Sequence, residues 1–204
     1  MANNTNYGLA GYIFTKAIAA GILAFPMLFQ ITGLINVPDS VLWTTAILSL
    51  VFLGLTGALL IKDLDQPKRF LYVLLRPHWT SWLVKGGYTI TAYGGLVTLW
   101  GFLKYIELAA FAELLIWPIL ILSVLLAVYT AFLFGQAKGR DFWQSPLLSI
   151  HMLLHSVVGG AAALLLMSAF WSDLLALLPL LKGILFWSLV VQLFSFAAEL
   201  FSFT

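Results

Sequence analysis

Charged residues in this chain of 204 residues stand at the edges of long uncharged stretches. No Asp, Glu, Lys or Arg lies between Lys16 and Asp39, and Ser40–Ile61, Gly86–Leu103, Leu114–Ala137, Phe142–Ser172 and Gly183–Ala198 are equally clear. Crossing a bilayer takes a helix of about 20 apolar residues, and each charge placed in hydrocarbon costs several kcal/mol. The gaps therefore predict about six membrane spans, near 9–34, 41–61, 82–104, 114–135, 146–170 and 183–203. A chain with 9% charged and 62% hydrophobic residues is no soluble domain, where charged residues make up about a quarter. The fold class expected is all-α: a polytopic helical bundle forming one integral membrane domain over 1–204. Trp43, Trp79, Trp82, Trp117, Trp143 and Trp171 fall near the proposed ends, where indoles sit at the headgroups.

Composition also excludes several chemistries. Ten Lys+Arg against eight Asp+Glu give no field for nucleic acid. The absence of cysteine rules out disulfides, zinc held by thiolates and any iron–sulfur cluster ligated by cysteines of this chain. Haem is disfavoured too: His151 and His155 share one helix, and His78 belongs to a surface segment, so no two imidazoles face each other. No H-E-x-x-H, phosphate-binding glycine loop or dinucleotide fingerprint occurs. The N-terminus lacks the basic region of a cleaved signal peptide. The longest polar break, Lys62–Ser81, contains Phe70, Leu71, Val73, Leu74 and Leu75 between Pro67 and Pro77, which suggests a short amphipathic helix on the membrane surface.

Lys62, Lys68, Arg69, Arg76, Lys85, Lys138 and Arg140 fall on the side shared with both termini, against Lys104 and Lys182 on the other. Taken alone, this bias places the termini in the cytoplasm. Five ionisable groups lie within spans: Lys16, Lys85, His151, His155 and Glu199. Lys16 is roughly 10 Å inside the first span, His151 roughly 8 Å inside the fifth, and Tyr129 roughly 9 Å from the end of the fourth. All of these belong to the leaflet beside the basic loops, whereas Asp39, Glu107, Glu113 and Asp173 lie toward the opposite face. Each has an ordinary alternative. Lys16 or Lys85 would snorkel to the headgroups, the histidines would hydrogen-bond helix carbonyls, and Glu199 would be hydrated near its helix end. The small-residue runs Ala17–Gly21, Gly86–Gly87, Gly94–Gly95 and Gly159–Ala163 imply close helix packing.

D-L-D-Q-P-K-R-F at Asp63–Phe70, followed by L-L-R-P-H-W-T-S-W-L-V-K-G at Leu74–Gly86, resembles a segment of the NrfD-like family, the polysulfide reductase membrane subunits. Y-T-A-F-L-F at Tyr129–Phe134, F-W-Q-S-P-L-L at Phe142–Leu148 and the runs Lys16–Gly21 and Gly159–Ala163 extend the resemblance over most of the chain. It implies a subunit of a prokaryotic cytoplasmic membrane, not catalytic alone, that binds menaquinone or ubiquinone in a respiratory electron-transport complex. An iron–sulfur, ferredoxin-like subunit docked at the membrane surface would exchange electrons with it, and a larger catalytic subunit would lie beyond. The resemblance places Tyr129 against the quinone headgroup and maps the polar position of the first helix onto Thr15–Lys16.

On this basis Tyr129, His151, His155 and Lys16 are the expected quinone-binding residues: a phenol and an imidazole suit the two carbonyl oxygens, and Lys16 or Lys85 favours an anionic species. Asp63, Arg69, Arg76, Arg140 and Asp141 would organise partner docking, and Glu107 and Glu113 would belong to a proton path toward the far face. Family members usually have eight or more helices, so the expectation includes a truncated or split member completed by further membrane subunits. Basic loops used for docking outside the cytoplasm would compete with the charge bias, which leaves orientation open. A small secondary transporter and a structural anchor without a site are the rivals.

Overall fold

The computed structural model describes residues 3–63, 78, 80–135 and 147–202. Among them six α-helices occur: α1 Asn3–Thr32, α2 Asp39–Asp63, α3 Trp82–Tyr105, α4 Ala109–Gly135, α5 Leu148–Ser168 and α6 Leu178–Ser202, the last preceded by a 3-10 turn at Ser172–Leu177. Helices are the expected solution, because hydrocarbon offers backbone N–H and C=O groups no partner outside the helix itself. Ala10–Thr32, Asp39–Lys62, Ala109–Gly135, Leu148–Ser168 and Ser172–Glu199 are long and apolar enough to cross a membrane. Helix α3 has comparable length, 24 residues, but is diluted with Gly, Thr and Tyr. Those polar groups are satisfied within the protein: Thr89, Thr91 and Thr98 donate to carbonyls one turn back. Tyr93, fully buried, hydrogen-bonds Ser49 Oγ at 2.9 Å and the Ala19 carbonyl at 3.1 Å.

Three helices begin well before their expected spans, whereas α5 is two residues shorter than expected at each end. Helices α1, α4 and α6 begin at Asn3, Ala109 and Leu178, each about five residues early by the rule that charges stay out of hydrocarbon. For α4 and α6 the reason is visible: Glu113 and Lys182 are exposed and sit inside their helices. A charge in the outer turn reaches the headgroups without ending the helix. The surface helix expected from Phe70–Leu75 lies outside the described residues.

Helix α1 is the most enclosed span and α6 the least. Ala19, Ala20, Ile22, Leu23 and Met27 of α1 are buried, and α1 packs against α2, α5 and α4. The tightest crossing is α1 on α5. A Cβ built on Gly21 would lie 2.8 Å from Gly160 Cα, and one on Gly160 would lie 2.6 Å from Gly21 Cα. The two small-residue runs thus meet backbone to backbone. Between membrane helices, where lipid removes the hydrophobic drive, such close approach is a main source of association.

The helices run up and down, and the α1–α2, α3–α4 and α5–α6 links share one end. There Lys104 Nζ pairs with Asp39 Oδ1 at 2.8 Å, and Ser40 Oγ donates to Asp173 Oδ2 at 2.6 Å. The α3–α4 turn at this end holds Glu107 at φ 61°, a region that side chains with a Cβ occupy at a cost. Glu107→Gly is expected to leave the fold unchanged and raise stability by about 0.5–1 kcal/mol, read as a higher midpoint in detergent-solubilised thermal unfolding.

Candidate functional site

The half nearer the chain's termini holds the buried basic and acidic side chains Lys16, His151 and Glu199. Lys16 projects from α1 into the protein with 1% of its surface exposed. Its Nζ donates to the Ala127 carbonyl at 2.9 Å and to Thr130 Oγ1, and lies 5.0 Å from the centroid of the Tyr129 ring. Two oxygens and an aromatic face offset part of the cost of burying an ammonium group. This lysine does not snorkel. Tyr129 is also buried, and its hydroxyl is hydrogen-bonded to that of Tyr12. The Tyr129 ring occupies the space a side chain would take at Gly86, where an added Cβ would fall 2.7 Å from Cδ2. Thr15 continues the group toward α2 by accepting from Thr56 Oγ1 at 3.0 Å.

A second polar set lies between α5 and α6. His151 and Glu199 are both buried, at 4% and 5% exposure, with His151 Nε2 3.2 Å from Glu199 Oε2. That distance defines an ion pair for a charged imidazole, but the N–H direction misses the oxygen and neither ring nitrogen makes an aligned hydrogen bond. Phe196 stacks on the imidazole at 4.5 Å between centroids, 23° from parallel. Half-buried His155, one turn along α5, has Nδ1 3.4 Å from Gln192 Nε2. A Cβ built on Gly159, one turn beyond His155 on α5, would lie 3.6 Å from Ala17 and Ile18 of α1, so the two sets neighbour each other.

Beside them is an apolar cleft of about 370 Å3 between α1, α4 and α5. Ala20, Gly21 and Ala24 form one wall, Ser123 and Ala127 a second, and Leu153, Ser156 and Val157 a third. The exposed side chains of Leu28, Trp117 and Ile121 stand at its rim, so the opening faces lipid. Ala127 both lines the cleft and receives the Lys16 ammonium group, which puts the polar group at the cleft's terminus-side end. Tyr129, His151 and His155 adjoin the cleft along α4 and α5 without lining it.

The expected residues therefore fall into three groups. Lys16 and Tyr129 are in contact, His151 and His155 form the neighbouring set, and Glu107 and Glu113 are exposed on or near the far end. The side chains of Asp63, Arg69, Arg76, Arg140 and Asp141 lie outside the described residues. Lys85 rests over the Trp82 ring at 4.2 Å, and Trp82 is stacked on Phe132 at 4.5 Å, an anchor-like arrangement at the start of α3. Tyr12, Thr130 and Gly86 were not expected. Tyr12 precedes Lys16 by one helical turn, so i, i+4 stacking on the first helix was the available signal. Thr130 sits within the Y-T pair itself. Among the described residues no cluster of three or more His, Asp or Glu is placed to hold a metal ion.

Helical spans enclosing buried charge beside a lipid-facing cleft define an integral membrane bundle built around an internal polar site. A model of the family described as polysulphide reductase NrfD matches residues 2–203, and the chain belongs to that family. NrfD proteins are membrane subunits of oxidoreductase complexes. No curated protein matches the chain.

Proposed function

We propose that this chain is the quinone- or quinol-binding membrane subunit of its complex, exchanging electrons between the membrane pool and an iron–sulfur, ferredoxin-like subunit docked on the face of the termini, with a larger catalytic subunit beyond. One observation carries most weight: the apolar cleft opens to lipid at one end, and at the other Ala127 of its wall holds the Lys16 ammonium group on its carbonyl. That polarity suits a molecule with an isoprenoid tail and a polar ring, and both menaquinone and ubiquinone have it. When bound, such a ring supplies two-electron, two-proton chemistry that no side chain of this chain provides.

The residues then have distinct tasks. The Tyr129 hydroxyl exchanges its Tyr12 partner for a carbonyl oxygen of the headgroup and fixes the ring's orientation. The Lys16 ammonium, held at Ala127 and Thr130, favours a reduced, negatively charged headgroup. His155 or His151 takes a proton at a ring nitrogen. The apolar walls keep water from the reacting oxygens. Asp63 at the end of α2 and Arg69, Arg76, Arg140 and Asp141 in the stretches that connect α2 to α3 and α4 to α5 are assigned to docking the partner.

Tyr129→Phe and His155→Ala in the purified complex test these assignments. Quinol turnover is expected to fall at least about tenfold in each, with the iron–sulfur content of the complex unchanged. Unchanged quinone kinetics in both variants would leave a purely structural anchor. Solute uptake by the chain alone in vesicles would make it a transporter, although α1 and α4 run through Pro26 and Pro118 as continuous helices rather than the interrupted ones such carriers use.

A further inference from the structure

Helix α6 presents a polar ladder that binding and orienting a quinone do not require. Gln192 and Glu199 are seven residues, two turns, apart on α6, and His155 and His151 are four apart on α5. The antiparallel pairing sets His155 against Gln192 and His151 against Glu199. Only the second pair is acidic, and it is the more deeply buried. A carboxylate enclosed in a membrane bundle is costly and marks an ion or proton route by default. His151 also lies three residues after the start of α5 at Leu148, about 4–5 Å along the axis, on the side shared with the termini.

We infer that Glu199 is the proton-relay partner of His151, carrying protons between the quinone site and the membrane face of the termini; the inference rests on the quinone site proposed above. In the outward direction the Nε2–H bond of a protonated His151 breaks and an O–H bond forms at Glu199 Oε2. Imidazolium becomes neutral imidazole, and carboxylate becomes carboxylic acid. The acid then gives its proton to water at that membrane face and is again a carboxylate. No electron moves in either step, since the electrons leave separately to the iron–sulfur partner. The 3.2 Å separation is within reach of transfer once a small ring rotation aligns the N–H. Phe196, stacked on the imidazole, holds the ring near that orientation. His155, bonded to Gln192, has no acidic partner in the ladder and serves the site rather than the exit.

Redox-difference infrared spectra test the relay, recorded on the complex isolated in mild detergent while a decyl-substituted benzoquinone couple is cycled electrochemically. The wild type is expected to show a carboxylic-acid carbonyl band that changes with the couple, is absent in E199Q and is shifted in E199D. Quinol turnover should fall about 100-fold in E199Q and recover to within about tenfold in E199D, a rescue that mere packing would not produce. Quinone binding, followed as quenching of tryptophan fluorescence (Trp117 lines the cleft), should be the same in all three. A carboxyl signal that survives in E199Q, or turnover that E199Q leaves at the wild-type rate, overturns the relay alone. Absence of quenching in the wild type overturns the quinone site and the relay with it.

Discussion

Gly160→Ala is expected to destabilise the bundle by about 3 kcal/mol or more, the upper range for overpacking, although alanine is the better helix former by about 1 kcal/mol. The added methyl group would meet Gly21 Cα at 2.6 Å. The obstacle is backbone, so no rotamer change relieves it and α1 and α5 must move apart. Because α1 also packs on α2 and α4, the displacement spreads through the enclosed centre. Gly159→Ala, one residue earlier, is the control: its methyl group would meet Ala17 Cβ at 3.6 Å, ordinary contact. Unfolding midpoints in mixed micelles should therefore drop sharply for one alanine and stay near wild type for its neighbour. Equal effects would mean that the α1–α5 crossing is looser than described.

Lys16→Met should separate stability from function. Methionine matches the reach of lysine without the charge, and replacing a buried charge by an apolar side chain of similar volume is often neutral or stabilising. Unfolding stability is therefore expected to stay within about 1 kcal/mol of wild type or to rise. Quinol turnover is expected to fall by about 100-fold or more, the effect of removing a preorganised electrostatic contact. The sign contrast is informative. A lysine kept for packing would lose stability and leave turnover alone, and that outcome, measured on the same purified preparation, would remove Lys16 from the site.

Much of the bundle was legible because lipid leaves few options. Charge gaps locate the helices, and Ala17–Gly21 and Gly159–Ala163 announce a close crossing before any coordinates. Boundaries were less legible: Glu113 and Lys182 look like stops in a one-dimensional reading, yet their side chains reach the interface from within a helix. The site was partly legible. Depth along a helix follows from residue count, so Lys16, Tyr129, His151 and Glu199 could be assigned to one leaflet. Azimuth about the axis does not follow, because these helices are apolar on every side and carry no stripe to orient them. Hence Tyr12 as the partner of Tyr129, and Glu199 as that of His151, required the packed structure.

The seating of Tyr129 on Gly86 gives the bundle a mechanical linkage. With no side chain between ring and backbone, a small axial slide of the first turn of α3 has to be answered by rotation of the phenol. The same turn carries Lys85 and follows directly on the basic stretch that precedes α3 in the chain. On the docking and quinone-binding roles proposed above, a push on that stretch would reach the hydroxyl shared with Tyr12, and attachment of a neighbouring subunit would be geared to the readiness of the interior to accept its guest.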